Sequence, residues 1–65
     1  MQVKLIDATR DRTVWTGTDD ELIDANEGAP EIFEALQDLN RGALSVTIGG
    51  GAAPAFRVEP VHTTH

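Results

Sequence analysis

The chain has 65 residues, no cysteine, 40% apolar residues and a formal net charge of −6. This length allows one domain with a thin stability margin, because so short a chain buries only about 60% of the surface that its unfolded form exposes. The composition excludes disulfides and cysteine-based zinc sites, and the negative charge argues against direct binding to nucleic acid or an anionic membrane.

The first part of the chain is predicted to form a β-hairpin. Apolar and polar residues alternate over residues 2–7, and residues 13–18 combine threonines with the bulky Val14 and Trp15. A polar turn over residues 9–12 joins the two strands, which most simply pair antiparallel. Trp15 is then either part of the core or a contact for a partner.

The next segment, residues 18–21, matches the capping box at the start of a helix. In this motif a threonine side chain and a glutamate three residues later satisfy free backbone N–H groups, and here Thr18 and Glu21 have that spacing. A short helical turn through Leu22 and Ile23 is one prediction, and a continued extended segment is the alternative. The sequence Asn-Glu-Gly at 26–28 ends either structure.

The strongest pattern predicts an amphipathic helix over residues 30–41. Pro30 suits the first turn of a helix, where its missing N–H costs little, and Gly42 is well placed to end the helix. Apolar residues recur at helical spacing between these limits, at Ile32, Phe33, Leu36 and Leu39.

The last part of the chain predicts a second β-hairpin. Residues 43–48 alternate, with Leu44, Val46 and Ile48 on one face, and residues 55–61 place Phe56 and Val58 on one face. The glycine-rich residues 49–54 are predicted to form a flexible connection between the two strands.

The predicted fold class is α+β, with the order strand, strand, helix, strand, strand (ββαββ). Residues 1–61 would form a small single domain in which two β-hairpins flank one amphipathic helix, and residues 62–65 a polar C-terminal tail. The helix packs on one face of an antiparallel or mixed sheet, of which a β-grasp arrangement is one version. The predicted core is Val3, Leu5, Val14, Ile32, Phe33, Leu36, Leu39, Leu44, Val46, Ile48, Phe56 and Val58.

Catalytic and metal-binding patterns are weak in this sequence. Both histidines, His62 and His65, lie in the last four residues, and Ser45 is the only serine, so a nucleophile–base pair is not indicated. The glycines at 49–51 lack the context of a phosphate loop, and the acidic residues do not keep the spacing of an EF-hand loop. We therefore expect no enzymatic activity, no cofactor and no metal site.

The negative charge is concentrated in one segment. Residues 13–40 contain eight acidic residues and no Lys or Arg, although ordinary surfaces mix both signs. On the predicted helix, Glu31, Glu34 and Asp38 form a stripe opposite the apolar face. Their axial spacing of about 4.5 to 6 Å is comparable with the roughly 3.4 Å between phosphates on one DNA strand. The candidate partner-binding residues are Asp19, Asp20, Glu21, Asp24, Glu27, Glu31, Glu34 and Asp38.

The same segment allows a simpler interpretation. A solvated helix face also needs polar residues, and acidic side chains are common there. Nothing in the first eleven residues indicates a signal peptide, and no stretch reaches the roughly 20 apolar residues that cross a bilayer. We expect a cytoplasmic monomer under either interpretation.

These features resemble the anti-CRISPR proteins, small acidic proteins that phages and mobile elements encode against bacterial CRISPR systems. The shared features are a cysteine-free domain of 65 residues, the acidic block at residues 19–38 and two hairpins around one helix. The resemblance is closest to inhibitors of type I (Cascade) systems. It implies a non-enzymatic inhibitor that acts in the bacterial host cell and occupies the DNA-binding surface of a Cas subunit as a DNA mimic. A β-grasp-like interaction module and an antitoxin-like neutraliser of a basic partner are the alternatives.

Overall fold

The structure is a computed structural model, which describes residues 1–61. Four strands and two helices follow one another as β1 (Gln2–Asp7), β2 (Arg12–Thr18), α1 (Asp19–Ala25), α2 (Pro30–Asn40), β3 (Val46–Gly50) and β4 (Ala53–Pro60). The α+β class and both hairpins are therefore confirmed, and α1 is an additional helix. The polar tail predicted at residues 62–65, with its two histidines, lies outside the described residues.

The four strands form one sheet in the order β2-β1-β4-β3, and all three neighbouring pairs are antiparallel. Of the two sheet types left open, the antiparallel one is observed. A β-grasp sheet joins its first and last strands in parallel, so the antiparallel β1–β4 pair excludes that version. Strands β2 and β3 form the two edges of the sheet.

The hydrophobic core lies between the sheet and the two helices. Cross-strand partners show that β1 and β4 each direct a fully buried valine toward the helices, Val3 and Val58. Trp15 and Leu5 pack against this core while partly buried, so Trp15 belongs with the core rather than with an exposed contact surface. The buried cluster consists of Val3, Leu22, Ile32, Ala35, Leu36, Leu39 and Val58.

Val14 was predicted for the core, but 52% of it is exposed. Leu5 pairs with Trp15 while the next residue of β1, Ile6, pairs with Thr13, which leaves Val14 as the extra residue of a β-bulge. A bulge interrupts the alternation of side chains between the two faces of a sheet. The prediction for Val14 failed because the bulge depends on the pairing of two strands.

Phe33 and Leu44 were also predicted for the core and are also exposed, by 45% and 78%. Phe33 lies on the flank of α2 that faces Gly28, away from the buried stripe of that helix. Leu44 lies outside the sheet because β3 begins at Val46, three residues later than predicted. Leu44 and Val46 therefore do not lie on one face of a common strand, although their alternation in the sequence predicted this.

Three buried residues were missing from the predicted core: Ile6, Leu22 and Ala35, which are exposed by 6%, 1% and 1%. Ile6 lies on the sheet face opposite the helices, between its partners Thr13 and Arg57. Leu22 is the one buried residue of α1, a helix that was only one of two alternatives. Ala35 was overlooked because alanine carries little weight in a hydrophobic pattern.

The capping box at the start of α1 is confirmed. The Thr18 hydroxyl accepts a hydrogen bond from the Glu21 amide at 3.1 Å, and the Glu21 carboxylate accepts one from the Thr18 amide at 3.0 Å. These bonds satisfy backbone donors that a helix otherwise leaves free at its N-terminus. Residues 19–25 are therefore helical rather than extended.

We expect Thr18→Ala to lower the free energy of unfolding by about 1 kcal/mol, the usual cost of losing an N-cap side chain. Urea unfolding followed by circular dichroism measures this loss. Thr18→Ser keeps the hydroxyl and serves as the control, with a free energy of unfolding close to that of the original protein. An equal loss in both variants would contradict a stabilising role for the cap.

Candidate functional site

A groove lies between α2 and β3. Its volume is about 460 Å³. One wall is formed by α2 and the other by all five residues of β3, Val46–Gly50. The α2 wall presents three carboxylates, those of Glu31, Glu34 and Asp38, above the small side chain of Ala35. We call this feature the acidic groove.

The amphipathic pattern of α2 explains why the acids line this groove. The buried residues Ile32, Ala35, Leu36 and Leu39 turn one face of the helix toward the sheet. At 3.6 residues per turn, positions 31, 34 and 38 lie along one flank beside that buried face. Since α2 packs against β3, this flank overhangs the edge of the sheet.

The carboxylates of the acidic groove have no basic partner within residues 1–61. The salt bridges of Lys4, Arg10 and Arg57 instead go to carboxylates outside the acidic segment. Arg41 follows Asp38 by one helical turn but forms no salt bridge in the described part of the chain. No basic side chain of residues 1–61 therefore offsets the carboxylates of the groove through a salt bridge.

Arg57 is the basic residue of β4, the strand next to β3. Its side chain lies on the face of the sheet opposite the helices. Its guanidinium donates hydrogen bonds to Asp11 and to Glu59. The bond to Asp11 contributes most to raising the pKa of Arg57 above its ordinary value, because the carboxylate favours the charged guanidinium. Arg57 is thus engaged away from the carboxylates of α2.

The other five predicted site residues lie on different elements. Asp19 forms a salt bridge of 3.4 Å with the N-terminal ammonium group, and Glu21 is engaged in the capping box. Asp20 and Asp24 are exposed on α1, and Glu27 is exposed in the turn between the helices, with a φ of 55°. α1 packs against β2 and α2, and none of these five residues lines the acidic groove.

The strand wall of the groove is not among the candidate partner-binding residues. Thr47, Gly49 and Gly50 line it, whereas the sequence predicted a strand for Thr47 and, for residues 49–54, a flexible loop that could reach a partner. Their place beside the carboxylates follows from β3 being an edge strand. No local signal in the sequence gives the order of strands in a sheet.

Two searches of residues 1–61 concern other kinds of site. No three His, Cys, Asp or Glu side chains of this part of the chain are arranged so that they would hold a metal ion. Neither α1 nor α2, the helices of this range, is long and apolar enough to cross a membrane.

The fold and the acidic groove define a small α+β domain with unpaired carboxylates beside an edge strand. Comparison with models of protein families, with curated proteins and with solved structures finds no match for this chain.

Proposed function

We propose that this protein is a non-enzymatic inhibitor that occupies the nucleic-acid-binding site of a basic protein by mimicking DNA. The observation that supports the proposal is the set of carboxylates of Glu31, Glu34 and Asp38, which are exposed and form no salt bridge within residues 1–61. The resemblance to anti-CRISPR proteins suggests the partner, a subunit of a type I Cascade complex, and the place of action, the cytoplasm of a bacterial host cell.

The helix supports mimicry because it fixes the positions of the charges. The carboxylates of the groove follow one another at about 4.5 and 6 Å along the helix axis. The opposite face of α2 is buried in the core, so the backbone beneath the charges is already ordered before binding. A rigid array of negative charges suits a protein surface whose basic residues are spaced to meet phosphates, since such complementarity speeds encounter and selects the partner.

Apolar surface near the groove supplies a second kind of contact. Leu44 is 78% exposed and lies two residues before the start of β3. Binding energy at protein interfaces comes largely from a few well-buried anchors. We propose that the carboxylates guide the partner to the groove and that Leu44 adds buried apolar area.

The proposal is tested with two variants of equal charge. The groove variant carries Glu31→Gln, Glu34→Gln and Asp38→Asn, and the control variant carries Asp20→Asn, Asp24→Asn and Glu27→Gln. We expect the groove variant to lose between about threefold and about 150-fold in affinity for the partner, since three exposed ion pairs at about 0.2–1 kcal/mol each contribute about 0.6–3 kcal/mol. The control variant should lose less, because its substitutions lie outside the groove. The measurement is competition with DNA for a purified type I Cascade complex, at low and high salt.

The two variants also show how the proposal would fail. Circular dichroism first confirms that both are folded. Full inhibition by a folded groove variant would refute DNA mimicry by these carboxylates. Equal losses in both variants would show that net charge, rather than the acidic groove, determines binding. Inhibition that does not weaken as salt rises would contradict an electrostatic contact, because salt screens exposed charges.

A further inference from the structure

Within residues 1–61, the outer edge of β3 pairs with no other strand. β3 pairs with β4 on one side and is the last strand of the sheet on the other. The acidic groove is lined by residues from both faces of this strand, including Ile48 on the helix side and Thr47 on the opposite side. A groove that contacts both faces of an edge strand runs along its free edge. The main chain of β3 is therefore accessible there to another strand.

The two edges of this sheet differ in how they are protected. β2 has its bulge in the middle of the strand, at Val14, and bulges are a common way to prevent pairing at an edge. The bulge of β3 lies near its end, between Ile48 and Gly50, so residues 46–48 keep regular geometry. β3 contains neither proline nor a charged residue. The charged side chains that line the groove beside it belong to α2, and Arg57, the cross-strand partner of Thr47, is paired with Asp11 and Glu59.

The carboxylates of α2 therefore determine which strand would be accepted. A neutral or acidic segment entering the groove would lose hydration or meet repulsion, whereas a basic segment would gain attraction. A second copy of this chain is disfavoured for the same reason, since its net charge is −6 and its own groove is acidic. The occupant that fits is an extended basic segment of another protein.

The spacing of the carboxylates along α2 is compatible with the spacing of side chains along an extended basic segment. Glu31 and Asp38 are separated by about 10.5 Å along the axis of α2. Alternate residues of an extended strand point to the same side and repeat about every 6.8 Å. Two or three alternating Lys or Arg residues would thus span the carboxylates, while the residues between them point away from α2.

We infer that an extended segment of the partner, with Lys or Arg at alternate positions, adds to the sheet as a new strand beside β3. Its main chain bonds the free edge of β3, and its basic side chains meet Glu31, Glu34 and Asp38. This inference takes one premise from the proposed function, namely that the partner is a basic protein. It adds the conformation of the bound segment and the pattern of its sequence, neither of which follows from charge alone.

The test uses synthetic peptides with blocked ends. The probe has the sequence Lys-Val-Lys-Val-Lys, and a rearranged peptide of the same composition, Val-Lys-Lys-Lys-Val, keeps the charge but breaks the alternation. Titration is followed by the amide resonances of ¹⁵N-labelled protein. We expect the probe to bind at least about threefold more tightly than the rearranged peptide, and the largest changes to occur at residues 46–50.

Methylation of the probe's backbone amides separates strand addition from simple attraction. In an extended strand, amides at alternate positions point to the same neighbour. One probe is methylated at its odd positions and another at its even positions, with the side chains unchanged. We expect one of them to lose about tenfold or more in affinity, since each backbone hydrogen bond contributes about 1 kcal/mol. The other should bind within about threefold of the unmodified probe, because its methyl groups face solvent.

The outcomes distinguish this inference from the proposed function. Equal binding of both methylated probes would overturn strand addition. Strand addition would also be overturned if the probe did not bind at all. That result would not affect DNA mimicry, which is supported separately if the groove variant loses inhibition. Binding that is lost in the groove variant but kept in the control variant agrees with the inference. If the groove variant still inhibits fully, DNA mimicry fails, while alternation-dependent peptide binding would leave strand addition intact.

Discussion

Leu22→Ala is expected to lower the free energy of unfolding by about 2–5 kcal/mol, the range for a buried leucine replaced by alanine. Leu22 is 1% exposed and lies in the cluster with Val3 and Val58. It is the buried residue through which α1 contacts the core. The remaining core residues are held by the sheet and by α2, so the cavity left by the substitution cannot close easily. A domain of this size has little stability to lose, and we expect a large unfolded fraction at 37 °C.

Urea unfolding followed by Trp15 fluorescence and by circular dichroism measures the effect. Leu44→Ala is a matched control, because it makes the same chemical change at a side chain that is 78% exposed. The control should stay within about 0.5 kcal/mol of the original protein, as is usual for surface substitutions. If Leu44→Ala destabilises as much as Leu22→Ala, the described packing of α1 and of the segment before β3 is incorrect.

Gly49→Ala is expected to destabilise the protein by about 2–5 kcal/mol through two effects at one position. Gly49 has a φ of 78°, a left-handed conformation that costs a residue with a Cβ about 1–2 kcal/mol. The added Cβ would also overlap the backbone carbonyl oxygen of Pro54 in the neighbouring strand. Overpacking against atoms that cannot turn away costs about 1–3 kcal/mol. Relief requires β3 and β4 to move apart at this end of the hairpin.

Gly51→Ala provides the control for the second effect. Gly51 also has a positive φ, 63°, but an added Cβ there would meet no atom within 4 Å. We expect it to cost only the conformational penalty, about 1–2 kcal/mol. Thermal and urea unfolding of both variants separate strain from overlap. Equal destabilisation of the two variants would show that the close approach of Gly49 to Pro54 is absent.

Gly49 also links stability to the candidate site, since it lines the acidic groove. A Gly49→Ala variant that remains folded should disturb β3 while leaving the carboxylates of α2 in place. We therefore expect it to weaken peptide binding more than Gly51→Ala does. The same ¹⁵N titration that tests strand addition measures this difference.

Much of the fold was predictable because its signals are local. Each of these signals depends on residues that are close together in the sequence. They are the alternation over residues 2–7, the capping box of Thr18 and Glu21, and the helical spacing after Pro30. All three are confirmed by β1, α1 and α2. The failures at Val14 and Leu44 have a different origin, because a bulge and the start of an edge strand depend on pairing with distant residues.

The candidate site also combines features that depend on local sequence with features that depend on distant residues. The concentration of carboxylates on residues 19–38 is visible in the printed sequence. Helical spacing is enough to place Glu31, Glu34 and Asp38 on one flank of a helix. The tertiary structure was needed to show that this flank overhangs β3, that the acids of α1 do not line the groove, and that Arg57 is held by Asp11 on the other face. Strand order and helix docking depend on how the apolar faces of distant segments bury one another. No short stretch of sequence contains that information.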